Sequence, residues 1–201
     1  MERVRFFYDF TSPYTYLAST RVDEIAARTG AEIAWIPVLL GGIMKATGNQ
    51  PPAMLPARAL YMPRDLARWA ALYGVPFRMS PHFPINTLGA LRAACALAAE
   101  RPERHRLFAD ACFRAAWADG RDLGDRAVLT SLAAEEDRAF VSEAMDAPRW
   151  KEALKRNTEE AVAAGAFGAP TFVIGDDELF FGNDRLELLA WRLAHGAEAA
   201  R

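Results

Sequence analysis

Cysteine is scarce in this chain. Two occur in 201 residues, Cys95 and Cys112, and there is no Cys-x-x-Cys. This excludes a dithiol centre of the protein's own and a fold stapled by disulfides. Both thiols lie in helical patterns and are expected to be buried and inert. His82, His105 and His195 have no metal-ligand spacing with each other or with the cysteines, so no metal site is expected. No apolar run approaches the roughly 18 residues of a membrane-spanning helix. Neither sign of charge dominates: 24 basic residues stand against 26 acidic ones, for a net charge of −2. That balance leaves no footprint for nucleic acid. The basic residues are mostly arginine and are spread along the chain, the pattern of solvated helix faces. The opening Met1-Glu2-Arg3-Val4-Arg5 carries charge where a secretory leader needs an apolar stretch. The closing Glu198-Ala199-Ala200-Arg201 is not a Ser-Lys-Leu address. A cytoplasmic protein is expected.

What is present is enough apolar material, 52% of residues, for one substantial core. Val4 to Tyr8 reads as a buried strand. Pro13 to about Thr29 reads as one helix, striped by Tyr14, Leu17, Val22 and Ile25 and ended by Gly30. Ile33 to Val38 reads as a second strand, which makes a βαβ unit with a parallel pair. Gly41-Gly42 then opens a loop reaching Pro56. Helical patterns follow at 57–73, 87–100, 102–118, 125–134, 137–145 and 148–164, separated by glycine and proline breakers. Strands return at Thr171 to Ile174 and Glu178 to Phe181, with Gly175-Asp176-Asp177 as the hairpin turn. Asn183 or Asp184 is expected to cap a last helix reaching about His195. The order predicts an α/β, thioredoxin-like βαβ–ββα fold made of residues 1–56 and 165–201. A large all-helical insertion, about 57–164, interrupts it.

Five stretches carry candidate chemistry. Thr11-Ser12-Pro13-Tyr14 lies between the first strand and first helix, where thioredoxin-like redox proteins place their first reactive cysteine. Here that slot holds Ser12 and the slot three residues on holds Thr15. An N-cap accounts for any Ser-Pro at a helix start. The junction without its dithiol also suits a site that handles a thiol brought from outside. A free thiol with pKa near 8.5 is only about 3% ionised at pH 7, and a shift of about two units, roughly 2.7 kcal/mol, makes thiolate the majority form. A hydroxyl donor at a helix start can supply stabilisation of that kind. Ser12 as a nucleophile needs a nearby base; there is no Gly-x-Ser-x-Gly elbow, and His82 is the one loop histidine.

Gly168-Ala169-Pro170-Thr171 precedes the third strand. In thioredoxin-like folds this proline is cis and faces the first helix, leaving the backbone of Ala169 free to pair with an extended peptide. Phe181-Gly182-Asn183-Asp184-Arg185 is a capped helix start that also suits an α-amino acid end group, with N–H groups for its carboxylate and Asp184 for its ammonium. The loop from Leu40 to Pro52 follows the second strand, at the sheet end where ligands collect; Lys45, Asn49 and, further on, Arg58 are candidate partners for an anion. In His82-Phe83-Pro84-Ile85-Asn86-Thr87, Asn86 or Thr87 caps the next helix, and Asn86 is a candidate substrate contact.

Taken together, these pieces resemble the 2-hydroxychromene-2-carboxylate isomerases and the related kappa-class glutathione transferases, within the DsbA-like superfamily. The resemblance covers nearly the whole chain. Its marks are the Phe-Tyr-Asp-Phe-x-Ser-Pro-Tyr start, Leu-Gly-Gly-Ile-Met-Lys, Gly-Asn-x-Pro-Pro, His-Phe-Pro-Ile-Asn, Phe-Gly-Ala-Pro-Thr-Phe and Phe-Gly-Asn-Asp-Arg-Leu. It implies glutathione as cofactor, with Ser12 activating its sulfur and Ala169 beside Pro170 pairing with its cysteinyl backbone. Asn183 and Asp184 would take the γ-glutamyl end, with Asn49 and Arg58 as further contacts. Arg58 stands where kappa transferases have lysine, so the geometry of that contact differs. Lys45 and Asn86 would contact a small aromatic carboxylate substrate, with Lys45 or Arg58 holding its carboxylate. The activity implied is interconversion of 2-hydroxychromene-2-carboxylate and trans-o-hydroxybenzylidenepyruvate in naphthalene-type catabolism. A kappa-like transferase or peroxidase on other electrophiles shares every glutathione-facing residue, and a non-catalytic glutathione-binding relative is the third reading. The resemblance also implies a homodimer.

Overall fold

A computed structural model describes residues 1–197; the C-terminal Glu198–Arg201 lies outside the described residues. Strand β1, Arg3–Tyr8, alternates its side chains across the sheet as a strand must. Val4, Phe6 and Tyr8 enter the main core on one face, and Phe7 enters a second apolar cluster on the other. Strand β2, Glu32–Pro37, pairs with β1 in parallel, as the βαβ pattern requires. Strands β3, Thr171–Ile174, and β4, Glu178–Phe181, form the expected hairpin, with Gly175 at φ 59°. β3 adds antiparallel to β1, which gives the order β2-β1-β3-β4.

The register brings one end of this sheet together. Tyr8 lies opposite Pro37, Phe7 opposite Thr171, and Thr171 opposite Phe181. The chain therefore leaves β1, β2 and β4, and enters β3, at the same edge. All four of the motifs next to strands open there.

The single helix expected over 13–29 is two: α1, Pro13–Ser19, and α2, Val22–Thr29. Neighbouring hydroxyls cause the break. Ser19 Oγ donates to Tyr16 O and Thr20 Oγ1 to Leu17 O, both at 2.7 Å, while Arg21 N–H turns to Ala18 O at 2.9 Å. Such local side-chain bonds compete with the helix ladder. The expected loop of 41–56 also contains structure: α3, Leu40–Thr47, and a 3-10 turn at Pro52–Met54. Here Gly42 serves close packing rather than looseness. A Cβ on Gly42 would stand 3.1 Å from Thr158 Cγ2.

The helical patterns appear as α4 (Pro56–Tyr73), α5 (Leu88–Glu100), α6 (Pro102–Trp117), α7 (Arg126–Leu132), α8 (Arg138–Ala144) and α9 (Pro148–Ala163). Their apolar faces join the sheet in one continuous core, in which Phe6 stacks on Phe172 with centroids 4.7 Å apart. Trp117, fully buried in the same core, satisfies its indole N–H on Phe10 O at 2.8 Å. The last helix, α10, Leu186–His195, is not capped by Asn183 or Asp184: those residues form a 3-10 turn, Asn183–Arg185, ahead of it. Gly182 enters that turn at φ 103°, and a Cβ there would lie against the Asp184 carboxylate.

Candidate active site

At the shared sheet edge lies a cleft of about 1060 Å³. Small-molecule sites commonly hold about 300–1,000 Å³, so there is room for a tripeptide and a second reactant. Its floor is the turn after β1. Ser12, 5% exposed, has extended backbone and caps α1, accepting from Thr15 N–H at 3.2 Å; Pro13 follows as the first helical residue. Its own proton goes elsewhere, to the carbonyl of Ala169 at 3.0 Å. The Ala169–Pro170 peptide is cis, as is Phe83–Pro84. The N–H of Ala169 donates to no described residue. Pro170 O in turn accepts from Gly182 N–H at 3.0 Å, which ties the two loops flanking the hairpin.

Ser12, Asn49, Arg58, Ala169, Pro170, Asn183 and Asp184 all line this one cleft. Asn49 is already engaged: its Nδ2 donates to Phe167 O at 2.8 Å and its Oδ1 accepts from Gln50 N–H at 2.9 Å. It thus bridges the segment after α3 to the loop before β3. Asn183 is buried, and Asp184 accepts from Arg185 Nη1 at 2.6 Å. Arg58 is the one cationic side chain among the described lining residues. Lys45 and Asn86 are not among the lining residues. Lys45 is exposed on the last turn of α3, and Asn86 turns its Oδ1 back to Leu88 N–H at 3.3 Å. Thr87 stands at the N-cap position of α5 but caps nothing; its hydroxyl donates to Asp9 Oδ1 at 2.8 Å.

Among the described residues no histidine lines the cleft. His82 is exposed, 3.7 Å from Asp122, so Ser12 lacks the base that a nucleophilic role needs. Cys95 and Cys112 are free and buried; burial pushes the Cys95 thiol up to about 12 and Cys112 well upward.

Sequence reading found Arg58 but missed the rest of its stripe on α4. Tyr61, Met62, Asp65 and Trp69 recur with it at helical spacing, and all five face the cleft. Tyr14 donates to Asp65 Oδ2 and Tyr61 to Asp65 Oδ1, both at 3.0 Å. Burial, then the Asp65 carboxylate, holds the Tyr14 phenol well above its ordinary pKa, so it stays protonated. The recoverable signal was the i,i+4 pair Tyr61 and Asp65, four residues from Trp69. Tyr73 was missed with no comparable signal. It donates to Asn183 O at 3.1 Å, and Asn183 Nδ2 lies 3.4 Å from its hydroxyl, which fixes the turn carrying Asp184. Phe167 and Phe181 pack with centroids 4.4 Å apart at the cleft, above Gly168, where a Cβ would come within 2.7 Å of the Phe181 ring.

A mixed four-stranded sheet, a cis-proline loop facing the first helix and a strand-to-helix turn without cysteines define a thioredoxin-fold protein with no dithiol. Residues 3–194 match the DSBA-like thioredoxin domain, and the chain belongs to that family. It is 31% identical to the 2-hydroxychromene-2-carboxylate isomerase of Sphingobium xenophagum, across 92% of this chain and 95% of that protein. It is 30% identical to glutathione S-transferase kappa 1 of Caenorhabditis elegans, across 94% of this chain and 90% of that protein. Among solved structures, a 2-hydroxychromene-2-carboxylate isomerase superposes with a TM-score of 0.84 at 28% identity, covering 95% of this chain and 94% of that one.

Proposed function

We propose that this protein is a glutathione-dependent enzyme of the 2-hydroxychromene-2-carboxylate isomerase type. One observation carries the reading: the Ser12 hydroxyl and the unpartnered Ala169 N–H face the same cleft, one suited to a sulfur and the other to a peptide backbone. The donor set fits the tripeptide. Ala169 supplies a backbone edge, Asn183 and Asp184 supply groups for an amino-acid end, and Arg58 supplies a guanidinium for a carboxylate. Glutathione, when bound, supplies a thiolate that adds reversibly to a conjugated double bond, lets the resulting single bond turn, and leaves unchanged. Ser12 donates its hydrogen bond to that sulfur, which favours the thiolate over the thiol. The cis-proline loop and the turn after β4 hold the peptide across the floor. The α4 stripe and the Phe167–Phe181 pair exclude water from the reacting atoms.

A kappa-like transferase is the second reading, favoured by the positions of Lys45 and Asn86 off the cleft. With Arg58 engaged by glutathione, the apolar half lined by Met44, Met62, Trp69 and Phe83 suits a neutral electrophile. Absorbance of 2-hydroxychromene-2-carboxylate, followed with and without glutathione, separates the two. Glutathione-dependent equilibration is expected of the isomerase. Thioether formation with 1-chloro-2,4-dinitrobenzene, and no equilibration, shifts the assignment to the transferase. Neither activity, with no glutathione binding, overturns both.

A further inference from the structure

Asp9 is 1% exposed, three residues ahead of Ser12. Its carboxylate accepts three hydrogen bonds from three separate segments. Oδ1 takes the Thr11 N–H at 3.0 Å and the Thr87 hydroxyl at 2.8 Å; Oδ2 takes the Leu40 N–H at 2.8 Å. Its backbone carbonyl accepts from Ser12 N–H at 3.2 Å. Thr11, Ser12 and Leu40 all line the cleft, and Thr87 closes the segment that brings Phe83 and Pro84 to it. Asp9 itself does not line the cleft, so it touches no reactant.

A buried carboxylate with no cation beside it is unfavourable unless its lone pairs are satisfied. Burial pushes the Asp9 carboxyl up, and the three donors draw it back. Two of those donors are backbone N–H groups, one on each oxygen, and neither can reverse its polarity. Asparagine at this position would turn its NH₂ against one of them. The site therefore requires acceptors on both oxygens. We propose that Asp9 is the positioning residue of the cleft: through Thr11, Leu40 and Thr87 its carboxylate fixes the Ser12 turn, the start of α3 and the Phe83–Pro84 segment in one arrangement. The consequence for turnover rests on the glutathione reading above; the geometric coupling does not.

The test uses the full chain with Thr87→Val, Thr87→Ser and Asp9→Asn. Thr87→Val removes one donor and leaves the fold's apolar volume nearly intact. Without ligand, amide hydrogen exchange in Thr87→Val is expected to quicken about tenfold at residues 11–15 and 39–44, distant in sequence from the change, while residues 187–195 keep the wild-type rate. With saturating glutathione, and whichever of 2-hydroxychromene-2-carboxylate or 1-chloro-2,4-dinitrobenzene is turned over, kcat is expected to fall about tenfold while KM for glutathione stays within about twofold. Thr87→Ser restores the hydroxyl and both wild-type readings. Asp9→Asn exceeds Thr87→Val in both effects or fails to fold, as loss of a carboxylate acceptor for a backbone N–H requires. Unchanged exchange in the two segments, a uniform rise over the whole chain, or no rescue by serine overturns the proposal. If wild type shows no glutathione-dependent turnover, the functional reading fails, and exchange alone decides the coupling.

Discussion

The Ser12 hydroxyl donates to the Ala169 carbonyl at 3.0 Å, across 157 positions of sequence. The same oxygen accepts from Thr15 N–H, so one side chain caps α1 and ties its turn to the cis-proline loop. A thiolate beside Ser12 competes with Ala169 for a single proton, and an anion is a stronger acceptor than an amide carbonyl. In the free protein the donor is held at the cleft floor by a neutral acceptor that an anion can displace.

Ser12→Ala removes both the cap and the donor. Loss of an N-cap costs about 1 kcal/mol of stability. Loss of a hydrogen bond to a charged group costs about 1.5–3 kcal/mol, or roughly 10- to 100-fold in rate. The expected result is a small fall in Tm with a much larger fall in kcat at saturating glutathione. A variant that keeps the wild-type kcat removes Ser12 from the chemistry, whatever its Tm.

Tyr73→Phe isolates the turn that carries Asn183 and Asp184. The phenol donates to Asn183 O and lies within reach of its side-chain amide. One neutral hydrogen bond is worth about 1 kcal/mol net, so the Kd for glutathione is expected to rise about fivefold. kcat at saturation should hold, because Tyr73 is not among the residues lining the cleft. Calorimetric titration gives the first quantity and steady-state kinetics the second. An unchanged Kd argues that the γ-glutamyl end binds elsewhere.

Both thiols should be chemically silent in the folded protein. Burial raises Cys95 to about 12 and Cys112 well above its ordinary value, so neither supplies thiolate near neutrality. A thiol-disulfide reagent is expected to titrate neither cysteine in the native protein and both after denaturation. Rapid native labelling of either would contradict the assignment of all thiol chemistry to a bound tripeptide.

The fold and the site were legible to different depths. The apolar run Val4 to Tyr8 and the Gly175-Asp176-Asp177 turn marked the strands, because both follow from local sequence within a few residues. The Ser19–Thr20 break was missed because hydroxyl competition depends on side-chain rotamers, which periodicity does not carry. Gly41-Gly42 looked like a loop because glycine marks both looseness and close approach, and at Gly42 Thr158 decides for approach. Ser12, Ala169 and Asp184 were readable because each sits next to a strand end. Asp65, Tyr73 and Asp9 were not, since each acts through partners that only the folded chain brings near.

His105 gives the protein a pH-dependent stability of known sign. It is buried beside Tyr8, with the phenol oxygen 2.9 Å from Nε2, and burial lowers its pKa to about 4 against an ordinary 6.5. Between those values the unfolded chain binds more protons than the folded one, so stability is lost as pH falls from about 6.5 to about 4. At about 1.4 kcal/mol per unit, the full window amounts to roughly 3 kcal/mol. Asp9 works in the opposite direction. Burial raises its carboxyl above the ordinary 3.8, so its contribution falls as pH rises and opposes the histidine effect. Urea midpoints measured from pH 7 to 4.5 should fall steadily in wild type and far less in His105→Gln, which cannot take up a proton. Parallel slopes in the two proteins would assign the acid sensitivity to some other group.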